Sequence, residues 1–158
     1  MLAQSEKAEA AFVQFIHLVK YMYTRATQDK VSIAEEAQYI EQYIELQKNR
    51  LDESRTQVDY TYENDHACPN AQIAPMLLIT FVENALKYGT SAHEKSLIRI
   101  CLQVKDNTLC FIAENPIVNP RPADKAPGIG IANCRKRLEL LYPSAHKLNI
   151  QEQDGWYK

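Results

Sequence analysis

A chain of 158 residues suits one domain, with room for an appended helix. Its hydrophobic share of 46% supports a real core, and a net charge of −2 gives no electrostatic case for nucleic acid or an acidic membrane surface. The longest apolar run, Ile73 to Val82, is too short to span a bilayer and is interrupted by Pro75 and Thr80, and the polar start Met1-Leu2-Ala3-Gln4-Ser5-Glu6 lacks the apolar segment of a signal peptide.

The first element reads as a helix. Phe12, Phe15, Ile16, Val19, Met22 and Tyr23 form one apolar stripe at helical spacing, and so bulky a stripe needs the following helix or another chain against it. A second helix starts at Ser32, where Glu35 completes an S-x-x-E capping box, and continues through Ile33, Ala37, Ile40 and Ile44 toward Gln47-Leu51. Thr56 to Tyr62 alternates through Val58, Tyr60 and Tyr62 as a half-buried strand.

Pro75 suits the first position of a helix reaching Tyr88, apolar all round until Glu83-Asn84, with Gly89 as its C-terminal cap. A buried helix with a polar end suggests that the end lines a site. Leu97–Val104 and Thr108–Ala113 read as a hairpin about Lys105-Asp106-Asn107. Asn115 to Pro127, with four prolines, reads as a loop with the look of a lid. Ile131 to Tyr142 reads as a helix with Ile131, Leu138 and Leu141 inside, His146 to Gln151 as a strand, and Asp154-Gly155 as a turn into a strand that Trp156-Tyr157-Lys158 only begins. The sum is an α+β fold, helices on one face of a mainly antiparallel sheet, after a helical lead-in.

Four cysteines and four histidines are dispersed without a CxxC pair, which argues against a zinc site or a disulfide framework. Three other groups carry chemistry. Glu83, Asn84 and Lys87 lie within one helical turn: the Asn84 amide oxygen suits Mg²⁺, Lys87 suits phosphate oxygens, and Glu83 can orient a water or accept a proton. The competing explanation is an ordinary surface pair at i, i+4. Gly128-Ile129-Gly130 at a loop-to-helix junction lets backbone N–H groups approach an anion, although it can equally be a plain helix-starting turn. Arg121 and Lys125 in the preceding loop either reach phosphates or stay solvated. Asn133 and Arg135-Lys136-Arg137 place positive charge near a helix start, where Arg137 either clamps an anion or pairs with Glu139 or Glu83.

Together these blocks resemble the LytS-like sensor histidine kinases of the GHKL ATPase superfamily. Val31 to Leu51 is similar to that family's V-x-L-x-x-E-x-x-x-I-x-x-Y-I-x-L-x-x-x-R segment, Ile73–Leu78 with Phe81-Val82-Glu83-Asn84-Ala85-Leu86-Lys87-Tyr88-Gly89 to its N box, and Gly128–Asn133 with Arg137-Leu138 and Leu141-Tyr142 to its second glycine box. The resemblance covers nearly the whole chain. It implies a Bergerat-type ATP-binding sandwich over 31–158, its last strand truncated, after a helix over 1–30 from the end of the dimerisation hairpin. It further implies ATP and Mg²⁺ as cofactors, Asn84 as the Mg²⁺ ligand and Glu83 as the group assisting phosphoryl transfer. Lys87, Tyr88, Asn115, Gly128, Gly130, Asn133 and Arg137 complete the implied nucleotide-contacting set. The implied partners are a second copy through the N-terminal helix and a response regulator, often of LytTR type, with no direct nucleic acid contact. The implied location is the cytoplasmic side of an inner-membrane protein.

Two features depart from the pattern. The family's P-H-F-x-x-N phosphoacceptor motif is absent, and His17 lies in the wrong block to replace it, so the chain reads as a fragment beginning after the acceptor and not self-sufficient for autophosphorylation. Asn115-Pro116-Ile117 stands where many relatives carry D-x-G, exchanging a carboxylate for an amide at the adenine contact. Two alternatives follow. One is a nucleotide-blind module that dimerises and relays a signal mechanically. The other is a gyrase- or chaperone-type ATPase, which Lys87 in place of that group's aspartate disfavours.

Overall fold

A computed structural model describes residues 2–65, 68–91, 93–118 and 129–158, with side chains from residue 8 onward. In chain order the elements are α1 (Leu2–Arg25), β1 (Val31–Ser32), α2 (Ile33–Lys48), β2 (Thr56–Asn64), β3 (Gln72–Ile73), α3 (Ile79–Gly89), β4 (Ser96–Lys105), β5 (Thr108–Pro116), α4 (Ile129–Leu141), β6 (Glu152–Gln153) and β7 (Trp156–Tyr157). The main sheet has the order β2-β4-β5-β7-β6, with β2 parallel to β4 and every other pairing antiparallel. β1 and β3 form a separate antiparallel ribbon. This is the expected α+β architecture with a mixed, mostly antiparallel sheet.

Period-two patterning sets the core. Ile98, Ile100, Leu102 and Val104 of β4 are all buried, on alternate positions of this interior strand, while Arg99 and Lys105 point away. α2 answers from the helical layer with Ile33, Ala37, Tyr39, Ile40 and Ile44, and α3 with Ile79, Val82, Ala85 and Leu86. The capping box at the start of α2 is formed as expected: the Ser32 hydroxyl accepts from Glu35 N–H while the Glu35 carboxylate accepts from Ser32 N–H, a cap worth about 1 kcal/mol. The hairpin turn places Asp106 and Asn107 at φ 49° and 58°, the two left-handed positions of a tight two-residue connection.

α1 resolves the choice that its apolar stripe left open. The side facing α2 is Ala11, Gln14, Leu18, Tyr21 and Arg25, buried or half-buried at spacings of three and four. Leu18 joins the core, Tyr21 stacks on Tyr39 with ring centroids 4.5 Å apart, and Arg25 pairs with Glu35 at 2.5 Å. Phe12, Phe15, Ile16, Val19, Met22 and Tyr23 all remain exposed, so the stripe is not the surface that meets the following helix.

Several boundaries differ from expectation. α3 begins at Ile79 and not at Pro75, because Met76 occupies the left-handed region (φ 58°), which a continuing α-helix does not allow. Gly89 closes α3 as its last helical residue, followed by extended Thr90, so it is no left-handed cap. Its need for glycine is steric: a Cβ there would lie 2.6 Å from Asn115 Cβ and 3.0 Å from Ile98 Cγ1. Asn115 and Pro116 belong to β5 and not to the following loop, paired with Tyr157 and Trp156. Leu141 is half exposed, and Cys134 takes the inner place beside Ile131. His146 to Gln151 runs without ladder pairing until Gln151, which exchanges backbone hydrogen bonds with Lys158, so the terminal hairpin lies about Asp154-Gly155 further along. Residues 119–128, with Arg121, Lys125 and Gly128, lie outside the described residues.

Candidate functional site

The polar end of α3 opens onto a cavity of about 290 Å³. Phe81, Asn84 and Ala85 line one side, Phe111, Ile112, Ala113 and Asn115 of β5 the floor, Ile131 of α4 another side, and the extended segment Lys147–Gln151 with Tyr157 and Lys158 the outer wall. The lining is mainly apolar with a few amides and lysines, as small-molecule sites are, and the volume is near the lower end of their range. Phe81 and Phe111 meet as a tilted pair, ring centroids 6.1 Å apart.

Asn84 is oriented by its own helix. Its Nδ2 donates to the Thr80 carbonyl at 2.7 Å, which leaves the amide oxygen as the end available to a hard cation. Asn115, only 1% exposed, donates through Nδ2 to Pro116 O at 2.9 Å, and its Cβ lies against the bare Cα of Gly89. Thus Gly89 and Asn115 are one joint, where α3 sits directly on the end of β5. Beside it Ser96 donates its hydroxyl proton to Gly89 O, fixing where α3 stops.

Gly130 plays a similar part at the opposite side. A Cβ there would meet Thr80 Cγ2 at 2.9 Å, so the first turn of α4 lies directly against the first turn of α3, one helical turn before Asn84. Ile131, the next residue, reaches the cavity. The two expected halves of the site, the asparagine helix and the start of the glycine-box helix, therefore adjoin one cavity, as far as the described residues extend. Gly128 is not among them.

The remaining expected residues are distributed differently. Glu83 is not among the residues that line the cavity. Desolvation raises its carboxyl above the usual carboxylate range, and its charge contributes to raising Tyr39, which burial first of all pushes up to about 12, and Tyr43. It therefore lies on the α2 side of α3. Lys87, on the same helical face, is exposed and holds its ammonium 5.2 Å from the centre of the Tyr88 ring. Asn133 is exposed on α4, away from the cavity lining.

Arg137 makes neither of the ion pairs weighed for it. It donates to Pro75 O at 2.9 Å and to Met76 O at 3.4 Å, fastening the turn that precedes α3. Cys134 of the same helix and Tyr142, just beyond its end, assist. The Cys134 thiol donates to Leu77 O at 3.5 Å, and the Tyr142 hydroxyl accepts from Ala74 N–H at 2.7 Å. α4 and the residue that follows it thus hold residues 74–77 by four contacts to backbone.

Sequence reasoning missed two participants. The Lys147–Gln151 wall was read as a strand, and its single paired residue gives no alternation by which to place it. Glu36, fully buried on α2, was matched within a motif but given no role. The available signal was its place among Ile33, Ala37 and Ile40 on the inner face, where a carboxylate demands partners.

Residues fit for a magnesium nucleotide are present: an outward amide oxygen for the cation, an apolar slot between Phe81, Phe111 and Ile131 for a flat ring, and Asn115 at its floor. Among the described residues no cluster of three His, Cys, Asp or Glu could hold a metal ion.

Comparison with known proteins gives a consistent result. The family model for histidine kinases matches residues 1–55. The LytS sensor protein of Staphylococcus haemolyticus is 24% identical over 163 residues, covering 95% of this chain and 27% of that protein. The sensor histidine kinase YesM of Bacillus subtilis is 26% identical over 130 residues, covering 79% of this chain and 22% of that protein. The chain therefore spans about a quarter of the length of these relatives. The fold is similar to the catalytic domain of histidine kinase ThkA, solved in a nucleotide-free form, with a TM-score of 0.51, 17% identity, and coverage of 81% of this chain and 88% of that one. Among the described residues no helix is long and apolar enough to cross a membrane. By motif and by relatives the chain is similar to the LytS-like sensor histidine kinases, and its fold is similar to that of a histidine kinase catalytic domain.

Proposed function

We propose that this chain is the ATP-binding catalytic portion of a two-component sensor histidine kinase, one that passes the γ-phosphoryl group of ATP to a histidine and onward to a response regulator. The observation that carries this reading is the placement of Asn84 and Asn115 on one apolar cavity, with the start of α4 at its side. Mg²⁺ bound with the nucleotide would be held on the protein side by the Asn84 amide oxygen and would supply charge neutralisation to the phosphates. The chain's own residues position. Asn84 offers its amide oxygen to the cation, Asn115 meets the edge of the base at the floor, and Phe81, Phe111 and Ile131 exclude water from the ring. Lys87 and Gly128 belong with the phosphates by resemblance. Glu83 is assigned to assist transfer to a histidine approaching from outside the cavity; its position on the α2 side of the same helix and the desolvation that raises its carboxyl support a role as base.

The exposed stripe Phe12–Tyr23 supports dimerisation through α1 with a second copy, on a surface that α2 leaves uncovered. The domain is read as the cytoplasmic part of a membrane-anchored protein, and the regulator as one of LytTR type, on resemblance alone.

The test is calorimetry with Mg-ADP. The chain binds with measurable heat, and Asn84→Ala, which keeps the helix but removes the amide, weakens binding at least about tenfold, the loss of a cation-linked contact of roughly 1.5 kcal/mol or more. No heat from either protein would instead promote the nucleotide-blind relay that dimerises through the α1 stripe.

A further inference from the structure

Glu36 lies fully buried between α1, the turn before α3, and α4. A single atom, Oε1, accepts from the Tyr21 hydroxyl of α1 at 2.9 Å and from the backbone N–H of Met76 at 2.7 Å. Desolvation raises the carboxyl above its usual range, against the opposing influence of the Met76 N–H, the Tyr21 hydroxyl, the Leu78 N–H and the Arg137 charge. Those four groups come from α1, from the turn, and from α4. The turn itself is not regular structure. It holds Met76 at φ 58°, its carbonyls are taken by Arg137 and Cys134, and Leu78 O then accepts from Phe81 N–H to start α3.

We infer that Glu36 is a positioning residue that couples the placement of α1 to the nucleotide cavity. Displacing α1 by part of a turn removes Tyr21 from Oε1, loosens the Ala74–Leu78 turn, and changes the footing of the helix that carries Asn84. The shared oxygen is what makes this a coupling: both donors compete for and orient the same carboxylate, so a change on one side is felt on the other. Tyr21 stacked on Tyr39 makes the α1 side discrete, since the ring is held either on the stack or off it. α1 also carries the exposed apolar stripe on its opposite side, so whatever engages that stripe acts on the Tyr21 side through a rigid helix. The regulatory meaning rests on the nucleotide reading above; the mechanical link does not.

The experiment is amide hydrogen exchange by NMR on the 158-residue chain without nucleotide, for the unaltered protein, Tyr21→Phe, and Lys20→Gln as a control at an exposed α1 position outside the apolar stripe. Losing one donor to Glu36 is expected to speed exchange at Met76, Leu78 and the first turn of α3 by roughly three- to tenfold, the factor of one net hydrogen bond. Amides of Ile100 and Leu102 in β4 and the whole Lys20→Gln chain stay unchanged. Glu36→Gln, which keeps an acceptor at the same place, retains most of the protection at Met76. Unchanged exchange at residues 76–82 in Tyr21→Phe, or acceleration that includes β4 to the same degree, overturns the inference. A parallel Mg-ADP titration separates the two claims: no binding by the unaltered chain sinks the nucleotide reading and leaves the coupling standing. Where binding occurs, reciprocity requires Tyr21→Phe to shift the affinity.

Discussion

Gly89→Ala loses about 2–3 kcal/mol of stability, with a fall in Tm of roughly 5–10 °C, although alanine is the better helix former. The added methyl would stand 2.6 Å from Asn115 Cβ and about 3 Å from two atoms of Ile98. Neither neighbour can give way. Asn115 is in a strand, paired with Tyr157 and 1% exposed, and Ile98 is fully buried in the interior strand β4. Since no flexible side-chain end is involved, α3 must lift from the sheet, and Asn84, one and a half turns earlier, moves with it. Urea unfolding gives the stability, and calorimetry with Mg-ADP gives the site. An alanine variant as stable as the parent would show that the joint between Gly89 and Asn115 is looser than described.

Glu36→Ala is expected to lose about 3 kcal/mol, roughly 6–12 °C in Tm. The change strands the Tyr21 hydroxyl and the Met76 N–H in a buried place, removes the opposite charge facing Arg137, and leaves a void the size of a side chain. Glu36→Gln keeps the volume and an acceptor and loses far less. Their pH dependence separates charge from shape. A carboxyl whose pKa is raised in the folded state binds its proton more tightly there than in the unfolded chain. Stability then falls as pH rises from the ordinary carboxylate value through the raised one. Glu36→Gln removes that slope, so the gap between it and the parent narrows as pH increases across this window. A gap that is constant with pH would mean the carboxyl titrates alike in both states.

Most of the fold was legible, because periodicity is a local property. The alternation of Val58, Tyr60 and Tyr62, the Ser32–Glu35 box and the Asp106-Asn107 turn each bring their own explanation within a few residues. The errors came where a distant partner decides the outcome. Pro75 is a good first helical residue by itself, but Met76 is drawn into a left-handed conformation within a turn held by Glu36 from α2 and Arg137 from α4. Gly89 looks like a cap until Asn115, 26 residues later, is seen against it. Arg137 looks like an anion clamp, since nothing local shows that two carbonyls 61 and 62 residues earlier will take it. In the site, the residue types were readable and the side they face was not. Glu83 and Asn84 are neighbours, yet helical geometry turns one toward the tyrosines of α2 and the other into the cavity.

The parallel pairing of β2 with β4 bears on how the chain reaches this state. Thr56 meets Ser96 at a sequence separation of 40, whereas β4 and β5 join through a two-residue turn. Closing the longer loop sacrifices more chain entropy before any ladder bond rewards it, so the hairpin assembles early and β2 joins last, after α3 has been laid between them. Pulse-labelled amides should therefore become protected at Leu102 and Phe111 before Tyr60, and until they do, the edge of β4 stands bare to any other strand in solution.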